Sequence, residues 1–205
     1  MEYWNSLLTE KSWRILQELS KQQFRFILIG GWAAYLWTKL HKSKDIDIIV
    51  DVKDLLPLKR KYTLRKNDNL KKYEIKIDEI DIDIYVPFFS RLTIPLDEIY
   101  SYTTRIEGFE VIKPEVLLIL KQGAEKDREY SVKGEKDRID IMGLVSFYEM
   151  DFKEYYNILK KYKIEHFYER LKKIISNFTD LKYLDINPRQ LKLKKKELLE
   201  KLKKI

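Results

Sequence analysis

Two linked stretches restrict the fold more than any other part of the chain: Phe26-Ile27-Leu28-Ile29-Gly30-Gly31-Trp32, and then Ser43-Lys44-Asp45-Ile46-Asp47-Ile48-Ile49-Val50. An apolar, β-rich run ends in paired glycines, a helical segment over Trp32–Leu40 follows, and a second strand carries two aspartates two residues apart. Period two in a strand sends Asp45 and Asp47 to one face and Ile46, Ile48 and Val50 to the other. Neighbouring like charges are destabilising unless a positive charge lies between them. A divalent cation is the natural candidate, because hard cations take carboxylate oxygens, and magnesium commonly takes one or two carboxylates together with substrate phosphates. Paired glycines ahead of a helix let a phosphate come close to the backbone and meet the helix N-terminus.

A further strand shows strict alternation. In Ile80-Asp81-Ile82-Asp83-Ile84-Tyr85-Val86, the isoleucines and Val86 line one face while Asp81, Asp83 and Tyr85 line the other. Aspartate has poor β-propensity, so solvent or metal must account for an acidic face. Both carboxylates point the same way, and the alternation alone does not choose between them.

The rest of the chain divides by pattern near Ile112–Lys113. Before it, apolar runs at Phe24–Ile29, Lys44–Val50, Tyr62–Lys66, Lys72–Ile77, Ile80–Val86, Ile94–Ile106 and Phe109–Ile112 read as strands of a mixed sheet. Helices are expected over Thr9–Gln22, Trp32–Leu40 and Asp54–Tyr62, the last with Asp54 as N-cap. After it, Val116–Glu129, Glu135–Tyr148, Asp151–Tyr162, Ile164–Asn177 and a segment opening at Asn187-Pro188 carry helix-period stripes. The expectation is an α/β (α+β) domain over residues 1–112 and an all-α domain over residues 113–205.

Composition bounds the rest. No apolar run reaches the roughly 18 residues a transmembrane helix needs, and no signal peptide is legible over Met1–Gln22. The chain has no cysteine, which excludes disulfides and thiolate metal sites; a cytoplasmic location is the expectation. Net charge is +8, and the segment Pro188–Ile205 holds eight Lys/Arg against two Glu, so this tail supplies +6 and the remainder +2. A nucleic-acid partner would therefore be gripped by the tail, although the stripe Leu191, Leu198, Leu202 and Ile205 equally fits a packing or dimerising helix.

Gly30-Gly31 followed by Asp45-Ile46-Asp47 resembles the signature of the nucleotidyltransferase superfamily, and the chain looks most similar to AbiEii-type and minimal nucleotidyltransferases of prokaryotes. The resemblance implies a nucleotidyltransferase-like first domain that moves a nucleoside monophosphate from an NTP to an acceptor hydroxyl. It implies two Mg²⁺ (or Mn²⁺) ions held by Asp45, Asp47 and a third carboxylate, at the roughly 3.5–4 Å spacing of two-metal phosphoryl sites. The third carboxylate lies in a setting that Ile82-Asp83-Ile84-Tyr85-Val86 matches, which favours Asp83 and holds Asp81 in reserve. Gly30, Gly31 and Ser43 would face the nucleotide.

In the second half, Lys121, Arg128 and Lys136-Asp137-Arg138-Ile139-Asp140 resemble a further AbiEii-type pattern. It implies Lys121 as a phosphate ligand and Asp137 as a base or polar organiser. On the residues alone, Lys121 is equally a solvated helix lysine, and Lys136 with Asp140 an i,i+4 surface pair worth about a few tenths of a kcal/mol. His41 stands where the AbiEii-type pattern often has arginine, and His166, among helix aromatics, reads as structural. The resemblance extends to RNA or tRNA as acceptor and to a homodimer or an antitoxin-like partner, with no membrane role. A non-catalytic nucleotidyltransferase-fold binding or regulatory module is the rival class.

Overall fold

The computed structural model describes residues 6–205. Met1–Asn5, the start of the stretch read for a leader, lie outside the described residues. The chain forms two compact units, one up to Lys113 and one over Pro114–Ile205.

The first unit is built on a mixed seven-stranded sheet. In chain order the strands are β1 (Phe26–Ile29), β2 (Ile46–Val50), β3 (Arg65–Asn67), β4 (Lys72–Ile77), β5 (Ile80–Tyr85), β6 (Thr103–Ile106) and β7 (Phe109–Ile112). They lie in the order β3-β4-β5-β2-β1-β7-β6. The pairs β2–β5 and β1–β7 are parallel and the other pairs antiparallel. β1 is apolar at every position because it lies inside the sheet with both faces covered, and all four of its residues are buried. On β2 and β5 one face is wholly dry: Ile46, Ile48, Ile80, Ile82 and Ile84 are completely buried.

Helix α1 (Ser6–Ser20) and helix α2 (Gly30–Thr38) supply the aromatic part of this core. Trp32 is completely buried and its indole N–H donates to Ser12 Oγ at 2.9 Å, with the Trp13 ring tilted against it, centroids 4.9 Å apart. A buried indole needs such an acceptor, which is why a serine sits on the apolar stripe of α1.

Two expectations shift, and the turn between the last two strands stays where the sequence puts it. Helix α3 (Leu55–Lys61) follows a 3₁₀ turn, and the side chain that caps this segment is Asp51, accepting from Lys53 N–H at 3.0 Å, while Asp54 makes no side-chain cap. Ile94–Ile106 is strand only from Thr103; Leu96–Ile99 forms a single helical turn, α4, which Pro95 precedes. The β6–β7 turn is Glu107-Gly108, both with positive φ (51° and 86°), the backbone that a two-residue hairpin demands.

The second unit consists of α5 (Pro114–Asp127), α6 (Val132–Phe147), α7 (Phe152–Lys161), α8 (His166–Asn177) and α9 (Pro188–Lys203). Apolar stripes meet in its core, where Leu117, Leu118, Leu144, Tyr155, Leu171 and Ile175 are completely buried. The Tyr155 hydroxyl donates to Gln122 Oε1 at 2.6 Å. Leu191, Leu198 and Leu202 of α9 are buried in this same unit, so the stripe packs internally, while Ile205 stays exposed.

Helix α9 opens on a reciprocal cap: Asn187 Oδ1 accepts from Gln190 N–H at 2.9 Å, and Gln190 Oε1 accepts from Asn187 N–H at 2.7 Å. Replacing the cap, Asn187→Ala, is expected to cost about 1 kcal/mol, seen as a lower urea midpoint at unchanged slope. An unchanged midpoint would show that the packing of Leu191 alone sets this helix start.

Candidate active site

The acidic face of the first unit is assembled by strand register. Ile29 of β1 pairs with Asp47 of β2, Asp47 pairs with Asp83 of β5, and Asp83 pairs with Glu74 of β4. Directly paired residues share a face, so Asp47, Asp83 and Glu74 form one row that begins where β1 runs into Gly30. Asp45 lies just before β2, one strand repeat from Asp47.

The glycines fit side chains before they fit any ligand. Gly30 has φ +66°, a left-handed backbone, and a methyl group added to it would meet Asp47 Oδ2 at 2.1 Å, Cγ at 2.7 Å and Cβ at 2.8 Å. A methyl group on Gly31 would meet Ser43 Oγ at 2.6 Å and Cβ at 2.8 Å. The glycine pair therefore opens α2 itself, ahead of the Trp32 start read from sequence, and seats Asp47 and Ser43 against its first turn.

The carboxylates differ in surroundings. Asp45 Oδ1 is buried and has no hydrogen-bond partner. Asp83, whose side chain is 20% exposed, receives Lys72 Nζ at 2.6 Å, and the same ammonium lies 3.1 Å from Glu74. Burial raises the Asp83 carboxyl above the usual aspartate range, Lys72 opposes that rise, and the charges of Glu74 and Asp45 add to it. Burial pulls the Lys72 ammonium down, but its bonds to Asp83 and Glu74 outweigh this and leave it raised. Asn67 donates to Glu74 Oε1 at 3.0 Å and completes the network. Asp81 faces Lys76 at 3.3 Å with its side chain 46% exposed. Among the described residues, no three or more acidic or histidine side chains converge tightly enough to cage a metal. Asp83 is bound to Lys72 instead.

Lys72 and Glu74 are absent from the sequence reading. For Glu74 the signal is local: with Asp78-Glu79 as the turn, counting back across a two-residue hairpin puts Glu74 opposite Asp83 and Lys76 opposite Asp81, whereas that count does not bring Lys72 to Asp83.

In the second unit, Lys121 is buried, with Asp140 Oδ2 at 2.6 Å and Asp137 Oδ1 at 3.5 Å. Arg128 Nε donates to the other oxygen of Asp137 at 2.6 Å. Asp140 is thus a buried partner of Lys121, and the solvated-lysine and surface-pair readings are corrected. A second cluster went unforeseen: buried Glu125 is held by Arg138 Nη1 at 2.9 Å and Arg170 Nη2 at 2.6 Å. Beside it opens a cavity of ≈ 410 Å³ that includes neither Lys121 nor Asp137 among its lining residues. His166 is exposed, its Nε2 3.3 Å from Lys126 Nζ and its ring 4.4 Å from that of Phe167. His41 is half-buried in the bend between α2 and β2.

No protein-family model matches the sequence, and no curated protein is significantly similar to it. Among solved structures, the chain is similar over nearly its whole length to a Helicobacter pylori protein provisionally named a nucleotidyltransferase. Identity there is 19%, the match covers 97% of this chain and 96% of that one, and the TM-score is 0.52. A second structure, JHP933 from Helicobacter pylori, is 18% identical over 98% of this chain and 95% of that one, with a TM-score of 0.50. The fold is nucleotidyltransferase-like. Within this nucleotidyltransferase-like fold, Gly30, Gly31, Ser43, Asp45, Asp47 and Asp83 fall together in the first unit, while Lys121 and Asp137 fall together in the second. No described helix is long and apolar enough to cross a membrane.

Proposed function

We propose that the protein is a divalent-metal-dependent nucleotidyltransferase that moves a nucleoside monophosphate from an NTP to an acceptor hydroxyl. The hydroxyl oxygen bonds to the α-phosphorus, the bond to the β-phosphate bridging oxygen breaks, and pyrophosphate leaves. The observation that carries this reading is the row from Gly30 through Asp47 to Asp83, with the buried, unpartnered Asp45 Oδ1 beside it, on a nucleotidyltransferase-like fold.

The donor set suits a hard cation: all three groups are carboxylates, and Asp45 Oδ1 is an acceptor left without a donor. Asp45, Asp47 and Asp83 would hold Mg²⁺ or Mn²⁺, two ions in all, which when bound act as Lewis acids toward the triphosphate and lower the pKa of the acceptor hydroxyl. Backbone N–H groups of the first turn of α2 would receive a phosphate, since the first turn of a helix has no intrahelical acceptors. Ser43, packed on Gly31, offers a hydroxyl at the same place. In the second unit, the AbiEii-type reading assigns Lys121 to nucleotide phosphates and makes Asp137, which Arg128 and Lys121 contact, a base or polar organiser.

RNA is the proposed acceptor. The apolar stripe of α9 is used inside its own unit, so the helix turns Arg189, Lys192, Lys203 and Lys204 outward. An antitoxin-like partner would cover that face or the acidic row.

The test is incubation of the purified protein with each α-labelled NTP, total RNA and Mg²⁺. Label should enter RNA with at least one NTP. Asp83→Ala should abolish transfer by removing the residue opposite Asp47, whereas Asp81→Ala, whose carboxylate faces Lys76, should retain a measurable rate. Activity surviving in Asp83→Ala, or no product from any NTP, would overturn the reading.

A further inference from the structure

We propose that Lys72 is a built-in stand-in for the metal: its ammonium neutralises Asp83 in the metal-free protein and must be exchanged for the metal ion before Asp83 joins Asp45 and Asp47. This rests on the metal reading above and deepens it.

Three observations support the exchange. Asp83 has Asp47 directly opposite on one side and Glu74 directly opposite on the other, so its carboxylate sits in a row of like charges. Such a row is destabilising without a cation, and Lys72 Nζ, 2.6 Å from Asp83 and 3.1 Å from Glu74, supplies one. The Lys72 side chain is only 12% exposed, so this is no loose surface pair. Finally, among the described residues no three acidic groups converge into a metal cage, and the carboxylate opposite Asp47 is paired with the Lys72 ammonium.

Geometry allows the lysine to leave. Lys72 lies at the first position of β4, one step beyond the Tyr73–Ile84 pair, and reaches Asp83 along the diagonal. A four-carbon stem with free rotation can withdraw from that position without moving the strand, and Glu74 on the same strand face is there to keep the ammonium. A metal ion and the ammonium then compete for one carboxylate. The metal affinity of the protein is set below what three aspartates alone would give, by the strength of the Lys72–Asp83 pair.

The test uses Mn²⁺ alone as the probe, with its dissociation constant read by calorimetry and by the rise in melting temperature on wild type and Lys72→Met. Without the competing ammonium, Lys72→Met should melt lower than wild type in the absence of metal, bind Mn²⁺ about tenfold more tightly, and gain more from it on melting. Lys72→Arg, which keeps a cation at Asp83, should bind Mn²⁺ no more tightly than wild type. Equal or weaker Mn²⁺ binding in Lys72→Met, with wild type binding normally, would overturn the exchange and leave the metal reading standing. Mn²⁺ binding by neither protein would overturn both. Should Lys72→Met fail to fold, the wild type answers by NMR. The Lys72 side-chain resonance, assigned by its loss in Lys72→Arg, should move as Mg²⁺ is added, and an unmoved resonance at saturation would overturn the exchange.

Discussion

Gly30→Ala is expected to cost roughly 2–5 kcal/mol in the first unit and to abolish nucleotide transfer. Two effects add. A non-glycine residue at φ +66° incurs about 1–2 kcal/mol of left-handed strain. The new methyl group would also overlap Asp47 at Oδ2, Cγ and Cβ together, so no rotamer change of Asp47 can clear it, and such overpacking typically costs about 1–3 kcal/mol. Tryptophan fluorescence during urea unfolding is the measurement, because all four tryptophans lie before residue 38. A double variant isolates the contact: on an Asp47→Gly background, Gly30→Ala should cost only the backbone strain. Were the cost the same on both backgrounds, Asp47 would not be the group that requires glycine. Gly31→Ala has only the Ser43 contact to overcome and should be the milder change.

Lys121→Met is expected to destabilise the helical unit by about 3–5 kcal/mol, the usual consequence of breaking a buried ion pair from one side. Asp140 would lose the ammonium at 2.6 Å while remaining buried. Asp137 would keep Arg128 at 2.6 Å and suffer less. Far-UV circular dichroism reads the loss, since the second unit is wholly helical among its regular elements. Lys121→Met/Asp140→Leu should recover most of the stability, because a buried pair exchanged for apolar groups is often neutral. Transfer activity should not return in that double variant, which separates the phosphate role proposed for Lys121 from its part in the packing. A stable Lys121→Met single variant would show that Asp140 finds another cation.

How much was legible before the structure depended on how local the information was. The alternation Ile80-Asp81-Ile82-Asp83-Ile84 declares which side of β5 is dry, and the structure buries Ile80, Ile82 and Ile84 completely. The helix stripes after Lys113 and the Asn187-Pro188 start are equally local, resting on 3.6-residue periodicity and on one cap. Ile94–Ile106 misled because its apolar composition suits a strand, whereas the chain there makes one helical turn before β6 begins.

What the linear order determined was the mixed strand-and-helix character of the first unit, the helical character of the second, and the face on which each aspartate stands. Those follow from periodicity, glycine conformational freedom and capping, all of which act within a few residues. Only the tertiary structure decided that Asp83 lies opposite Asp47, because that pairing joins two parallel strands more than thirty residues apart, and a parallel register is set by the packing of the crossover rather than by a turn. It also decided the partners of the charged groups. Lys72 takes Asp83 and Lys121 takes Asp140, although each lysine, read along the chain, is indistinguishable from a solvated one. Burial changes a lysine from a solvated charge into one that must be paired, and burial is a property of the packed fold, not of the neighbouring residues.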